Sequence, residues 1–394
     1  VDEAAAFPVA RLEGFLDAER VGFTTTIHGY EGAGRGFSVR FRDSLAASDL
    51  AVTDVRMAEP IRYAAGDPVE VWSFRALLLD AGPAADQVVE GARPGSVEYA
   101  PLEPDALVED EPLLREAFGL LVLAHYRTEP ADLARLLDAP NVSVRALLHE
   151  GHVASVALLA REGGLPADLR ADMYEGGRVR GNMLPDVLTS QLRDEEAGVP
   201  VGQRVMRIAT HAAVRSRGLG SHLLASIRDE FEGSVDWLGT GYGATPDLLD
   251  FWDRNGYSTV HLSTTRNATS GEHSAIMLAP TSDAGRDLHD RHARRFVRRI
   301  GPVLTDALSG LDPDVVRGAL DATDPAATSV PLDLDESDWR LVASAAYGPG
   351  LADVNPDPFR RLALRHLLDP ADPDLLTPRQ ERLLVLKPLQ ARGW

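Results

Sequence analysis

Two groups of residues have types and spacings that chemistry can use. The first is the run Arg215, Ser216, Arg217, Gly218, Leu219, Gly220 and Ser221, directly after a strand-like stretch that ends Ile208, Ala209 and Thr210. Glycine at 218 and 220 lets backbone N–H groups come close to a ligand. A helix starting there presents unpaired N–H groups and the positive end of its dipole, and two arginines add charge, which together suit a diphosphate. Taken alone the pattern is common, and an ordinary strand–helix turn also explains it. The second group is two histidines, His125 in the run AHYRT and His211 just past the strand. Histidine titrates nearest neutrality, the range in which a general base works. Each also has a plainer reading, a hydrogen-bonded core histidine at 125 and a loop-shaping one at 211.

A third feature is electrostatic. Residues 286–299 read RDLHDRHARRFVRR, six arginines against two aspartates, inside a chain of formal net charge −20. Such a reversal suits a phosphate-facing helix carrying Arg291, Arg294, Arg295, Arg298 and Arg299. A solvated helix with Asp287–Arg291 and Asp290–Arg294 pairs is the competing reading. The run RVRGN supplies Arg178 and Arg180 as a second candidate surface for nucleic-acid phosphates.

These residues need elements to hold them. From 71 to 285 the pattern alternates helices and strands, as in a mixed α/β domain. The spacing predicts a strand over Val69–Leu79, helices over Glu111–Tyr126 and Pro130–Leu137, and a hairpin of Val142–Leu148 and Val153–Leu159 turning at Glu150 and Gly151. It then predicts a strand over Arg204–Thr210 and a helix whose apolar stripe is Leu219, Leu223, Leu224, Ile227 and Phe231. Next come a strand at Val235–Gly239 and a helix over Pro246–Asn255, started by Thr245 and Pro246 and stopped by Gly256. Strands near Thr259–Ser263 and Ser274–Leu278 close the unit. Before it, Val21–Ile27 and Phe37–Phe41 look strand-like; after Arg286 the pattern is mostly helical. The domains expected are 1–70, 71–285 and 286–394.

Composition sets bounds. The 394 residues allow two or three domains with sizeable cores. There is no cysteine, which excludes disulfides and thiolate metal sites and fits a cytoplasmic setting. No apolar run approaches the roughly 20 residues of a membrane span, and no signal peptide is evident. The chain begins at Val1, as a portion of a longer protein would. Lys387 is the one lysine; acidity with almost no lysine fits a high-salt protein, or a GC-rich genome that favours arginine. At about 1 M salt the Debye length is near 3 Å, so net acidity does not forbid RNA binding. Nothing in the sequence sets an oligomeric state.

The order of a strand, the RxxGxG turn and a second strand–helix pair ending FWDRNGY (Phe251–Tyr257) resembles the GNAT acetyltransferase superfamily. AHYRTEPADLARLLDAP (Ala124–Pro140), RVRGN (Arg178–Asn182), RIATH and SGEHSAIML (Ser270–Leu278) resemble the RNA cytidine acetyltransferases that modify methionine tRNA and related RNAs. Upstream, TTTIHGYEGAGRGFSVRF (Thr24–Phe41) resembles the end of the helicase-like ATPase module of the same proteins, and PIRYAAGDPVE (Pro60–Glu70) its join to the acetyltransferase module. The resemblance implies a GNAT fold with a mixed, splayed sheet, a helicase-like α/β remnant before it and a helical RNA-binding domain after it.

By the same resemblance the cofactor is acetyl-CoA, held by Ile208–Thr210, Arg215–Ser221, Asp247 and Arg254. His125 matches the family's base, acting on the N4 amine of cytidine in tRNA, with rRNA a further acceptor. Asp247 and Arg254 also fit plain helix electrostatics. A leaving-thiolate acid is not obvious; Tyr242 is a candidate, whereas Tyr257 reads as packing. The chain departs from the family in lacking a Walker A loop, GxxxxGK[ST]. ATP and Mg²⁺, with Arg35 as a contact, therefore belong only to a form with a complete ATPase module. Two other readings stay open: a GNAT acting on a protein or small amine, and a non-catalytic RNA- and acetyl-CoA-binding scaffold.

Overall fold

The computed structural model describes residues 1–4, 7, 9–25, 41–55, 57, 59, 61–123, 130–267, 271–326, 333–372 and 374–393. They divide into two compact units, one of residues 1–161, 205–231 and 268–271, the other of 162–204, 232–267 and 272–394.

In the first unit, alternating apolar residues build the predicted hairpin, β2 (Val142–His149) and β3 (His152–Glu162), after a short β1 (Glu98–Leu102). β2 and β3 pair antiparallel from Val142 opposite Ala160 to His149 opposite His152. The turn works because Glu150 and Gly151 both adopt positive φ, 50° and 86°. β1 lies antiparallel on β2, and β4 (Gly202–Thr210) follows β3 in the order β1-β2-β3-β4. Helices α2 (Glu111–Leu123) and α3 (Pro130–Asp138) cover this sheet. Their Leu114, Phe118, Leu121, Leu133 and Leu136 join Val144, Val156, Leu158 and Ala209 in one core. Each of the leucines, valines and Phe118 contributes about 1.5–3 kcal/mol on burial.

The helix after β4, α4 (Leu219–Phe231), buries Leu219, Leu223, Leu224 and Ile227 as the stripe predicts. Its far end is pinned. Arg145, buried on β2, donates from Nε and Nη2 to the two carboxylate oxygens of Glu230, both at 2.7 Å, and Tyr99 donates to the same carboxylate. A planar fork on a carboxylate is the geometry that offsets the cost of burying an arginine. Burial works against the Glu230 charge, but these bonds outweigh it and hold its carboxyl below the ordinary value. The aliphatic stripe and this clamp fix the axis of α4, and so the direction of its N-terminus.

Two expectations fail here. Val69–Leu79 is not a strand: helix α1 (Pro68–Ala76) occupies it. Asp67 accepts from the N–H groups of Val69 and Glu70, and Pro68 takes the first helical position, so the start signal overrides the strand-like composition. Val21–Thr25 form no strand, and Phe41 has helical backbone, buried edge-on against Phe23 at 4.9 Å. The rest of Val21–Ile27 and Phe37–Phe41 lies outside the described residues, and the predicted end of α2, Ala124–Tyr126, does too.

In the second unit β5 (Trp237–Gly243), β6 (Ser258–Arg266) and β7 (His273–Pro280) run in the order β5-β7-β6, all pairs antiparallel. Gly239, Gly241 and Gly243 share one face of β5. A Cβ there would meet Leu184 Cδ1 at 2.6 Å, Met183 Cε at 2.6 Å and Glu272 Oε2 at 2.0 Å. The segment at 183–184 thus lies directly on a strand face stripped of side chains. Helix α5 (Pro246–Arg254) starts as predicted, with Thr245 accepting from Leu248 N–H, and Gly256 leaves it at φ 78°. Helices α6 (Asp283–Thr305), α7 (Pro313–Asp321) and α8 (Asp357–Leu368) follow. Near the end, a short π-helical segment, Val385–Leu389, holds Lys387, whose amine donates to the carbonyls of Arg392 and Gly393. Among the described residues no helix is long and apolar enough to cross a membrane.

Candidate active site

The first unit assembles the strand–turn–helix within itself. β4 delivers Ile208, Ala209 and Thr210. Ser155 on β3 donates to the Ala209 carbonyl at 2.9 Å, its hydroxyl lies 3.0 Å from that of Thr210, and His211 N–H bonds Ala154 O at 2.9 Å. The end of β4 is therefore locked before the chain turns.

His211 does the turning. Its Nδ1 accepts from Ala213 N–H at 3.3 Å, and its Nε2–H donates to the Ala84 carbonyl at 2.8 Å. The ring is 1% exposed, with both nitrogens given to backbone. It shapes the loop, and neither nitrogen is open to a substrate proton.

Beyond it, Ser216 and Gly218 take left-handed backbone, φ 58° and 82°. A Cβ on Gly218 would meet only Pro94 Cγ, at 3.8 Å, so glycine is required here by dihedral angle and not by crowding. The first backbone bond of α4 runs from His222 N–H to Gly218 O at 2.9 Å. The N–H groups of Leu219, Gly220 and Ser221 precede it and have no partner within the helix. Arg215, Ser216, Arg217 and Gly218 are exposed, Gly220 and Ser221 half-buried, and Leu219 buried as the anchor. The result is a cradle of backbone donors open to solvent at a helix N-terminus, as an anionic diphosphate needs. The two arginines are turned to the backbone. Arg215 donates from Nε to Thr210 O at 3.3 Å, and Arg217 donates to Glu90 O at 2.6 Å and Ala213 O at 3.1 Å.

The remaining predicted residues fall elsewhere. His125, with the rest of AHYRT, and Arg35 lie outside the described residues. Asp247 sits exposed in the first turn of α5, and Arg254 in its last, paired to Asp250 at 2.8 Å. Tyr242 donates to Met277 Sδ at 2.8 Å and stacks on Trp252. Burial, with Asp253 nearby, pushes its pKa further above the ordinary tyrosine value. Tyr257 is buried edge-on to Trp252, as packing. Arg178 and Arg180 are exposed.

The basic helix α6 divides by face. Arg291 and Arg299 are half-buried: Arg291 Nε bonds Asp194 at 2.7 Å, and Arg299 donates to His261 Nδ1 at 2.6 Å; Arg295, four from each, is exposed and reaches Asp194 at 3.7 Å. Arg294 and Arg298, also four apart, are exposed. Buried His292 adds a bond to Asp194 at 2.8 Å. Burial works to raise Asp194, but the bonds from His292 and Arg291 outweigh it and hold the carboxyl well below the usual range. This knot was not legible in the sequence, because Asp194 stands nearly a hundred residues from its partners.

Two family descriptions match the chain: "RNA cytidine acetyltransferase NAT10/TcmA, helicase domain" over residues 1–80, and "GNAT acetyltransferase 2" over 116–235 and 222–282. Proteins named tRNA(Met) cytidine acetyltransferase TmcA are similar over the whole chain. That of Haloarcula marismortui is 67% identical across 100% of this chain and 50% of its own length. That of Haloferax volcanii is 66% identical across 100% and 52%, and that of Nitrosococcus halophilus 44% across 100% and 53%. The chain spans about half the length of these curated relatives.

Proposed function

The chain belongs to the RNA cytidine acetyltransferase family, and from that membership we propose that it transfers the acetyl group of acetyl-CoA to N4 of cytidine in RNA, the wobble cytidine of methionine tRNA in particular. Its acetyltransferase portion has the GNAT fold. The observation that carries the reading is the cradle at Arg215–Ser221, where left-handed Ser216 and Gly218 open the N-terminus of α4.

Acetyl-CoA supplies an activated thioester, and the residues of this chain supply the rest. The N–H groups of Leu219 to Ser221 receive the diphosphate, and the backbone of Ile208–Thr210 receives the pantetheine arm and thioester oxygen. Asp247 and Arg254 are further cofactor contacts. His125 takes the proton that N4 must lose. A cytidine edge is reached only when its base is unstacked, as in an anticodon loop. Arg178, Arg180, Arg294, Arg295 and Arg298, exposed, bind the RNA backbone, while Arg291 and Arg299 hold α6 in place. ATP and Mg²⁺ enter only with a complete ATPase module, Arg35 contributing to it. The acidic excess suits work at high salt, as in a protein akin to those of Haloarcula and Haloferax.

The test is direct. The chain, with and without an intact ATPase module, is incubated with acetyl-CoA and methionine tRNA at low and high salt. The RNA is then digested and its nucleosides weighed. N4-acetylcytidine is expected; none under any condition would sink the reading.

A further inference from the structure

The turn between β4 and α4 is braced by one distant segment, residues 84–96. Three contacts join them. His211 Nε2–H donates to Ala84 O, Arg217 donates to Glu90 O, and Pro94 Cγ stands 3.8 Å from the Cβ position of Gly218. The segment is itself stiff. Ser96 Oγ accepts from Arg93 N–H at 3.1 Å and donates to Gly91 O at 3.1 Å, and His149 Nδ1–H donates to Ser96 O at 2.8 Å. Residues 84–96 contain one basic residue, Arg93, next to the proline that abuts Gly218. Arg93 is exposed, and no carboxylate among the described residues pairs with it.

Coenzyme A carries two anionic regions. The diphosphate matches backbone N–H donors. The 3′-phosphate on its ribose is a separate group of charge about −1.5 to −2, and needs a donor of its own. The arginines of the turn do not supply one simply: Arg217 is committed to two carbonyls, and Arg215 is tied at Nε to Thr210 O. A guanidinium on a rigid neighbouring loop fits that need, since its planar fork binds phosphate in two-point fashion.

We propose that Arg93 binds the 3′-phosphate of coenzyme A, so that the 84–96 segment forms the second wall of the cofactor site. This rests on the acetyl-CoA reading of the turn. It makes Arg93 a contact that selects coenzyme A over its dephosphorylated form.

Binding of acetyl-CoA and of 3′-dephospho-acetyl-CoA is measured by calorimetry on the full chain, wild type and Arg93→Gln, with circular dichroism confirming that both are folded. The wild type is expected to prefer acetyl-CoA by about tenfold, the scale of one charge-assisted contact. Arg93→Gln is expected to bind the two ligands equally, at the wild-type affinity for the dephosphorylated one. A variant that keeps the wild-type preference, or that loses affinity equally for both ligands, overturns the assignment. Equal wild-type affinity for the two overturns Arg93 alone. A wild type that binds neither overturns the acetyl-CoA reading beneath it, and Arg93 with it.

Discussion

His292 Nε2–H donates to Asp194 at 2.8 Å, joining a fully buried imidazole to a carboxylate on the segment before β4. Burial lowers the pKa of His292 despite that carboxylate, and lowers His261 to about 3, with the Arg299 charge adding to the effect. Both rings thus resist protonation when folded, whereas an unfolded histidine titrates at about 6.5. Below that value the unfolded chain binds protons that the folded chain refuses, so stability is full above about pH 6.5 and falls as pH drops. For His261 the slope approaches about 1.4 kcal/mol per pH unit, and His292 adds to it in the same direction. Urea midpoints between pH 7.5 and 5 measure it. His261→Gln should flatten the slope, and an unaltered one would count against this account.

Asp194→Ala leaves Arg291 and His292 facing an empty position. Removing one partner of a buried charged pair costs about 3 kcal/mol, and Arg291's partial exposure keeps this at the lower end of the range. Equilibrium unfolding checks it; a loss under about 1 kcal/mol means the knot is dispensable.

Arg294 and Arg298 can be changed without touching that knot. Replacing both by alanine should shift stability by less than about 0.5 kcal/mol. It should weaken methionine tRNA binding and reduce the salt slope by about 2, one for each phosphate contact. An unchanged slope removes these two arginines from the RNA surface.

Gly218→Ala forces a side chain into left-handed backbone, at a cost of about 1–2 kcal/mol. Pro94 leaves room for the methyl, so the protein still folds, and the strain falls on the left-handed turn that opens the cradle. Acetyl-CoA affinity should fall more than stability does. Equal losses in both would place the effect on the fold and not on the ligand.

His125→Ala should abolish N4-acetylcytidine while leaving acetyl-CoA affinity within about twofold. Product formed at the wild-type rate would assign the proton transfer to another group.

The parts legible in advance were those with local causes. The turn at Arg215–Ser221 announced itself through glycines at fixed spacing, and α5 through Thr245, Pro246 and Gly256. The hairpin at Glu150–Gly151 was likewise written in alternation and a turn pair. Val69–Leu79 misled because it is rich in apolar and aromatic residues while Asp67 and Pro68, just before it, start a helix. What stayed hidden depended on distant partners. The RSRGLGS run gave no sign that Arg217 would reach Glu90, or that both ring nitrogens of His211 would go to backbone. The basic helix read as one charged surface, and only the structure sorted half-buried Arg291 and Arg299 from exposed Arg294, Arg295 and Arg298.

Lys387 is the chain's one side-chain amine, and its ammonium is already engaged with the carbonyls of Arg392 and Gly393. An enzyme that keeps company with a reactive thioester risks acylating itself wherever lysine lies exposed. Here that chemistry has a single side-chain address. Among side chains an amine-directed dye would accordingly mark only the helical C-terminal end. A cysteine introduced anywhere would be a second, orthogonal handle, because the native chain offers no thiol to compete with it.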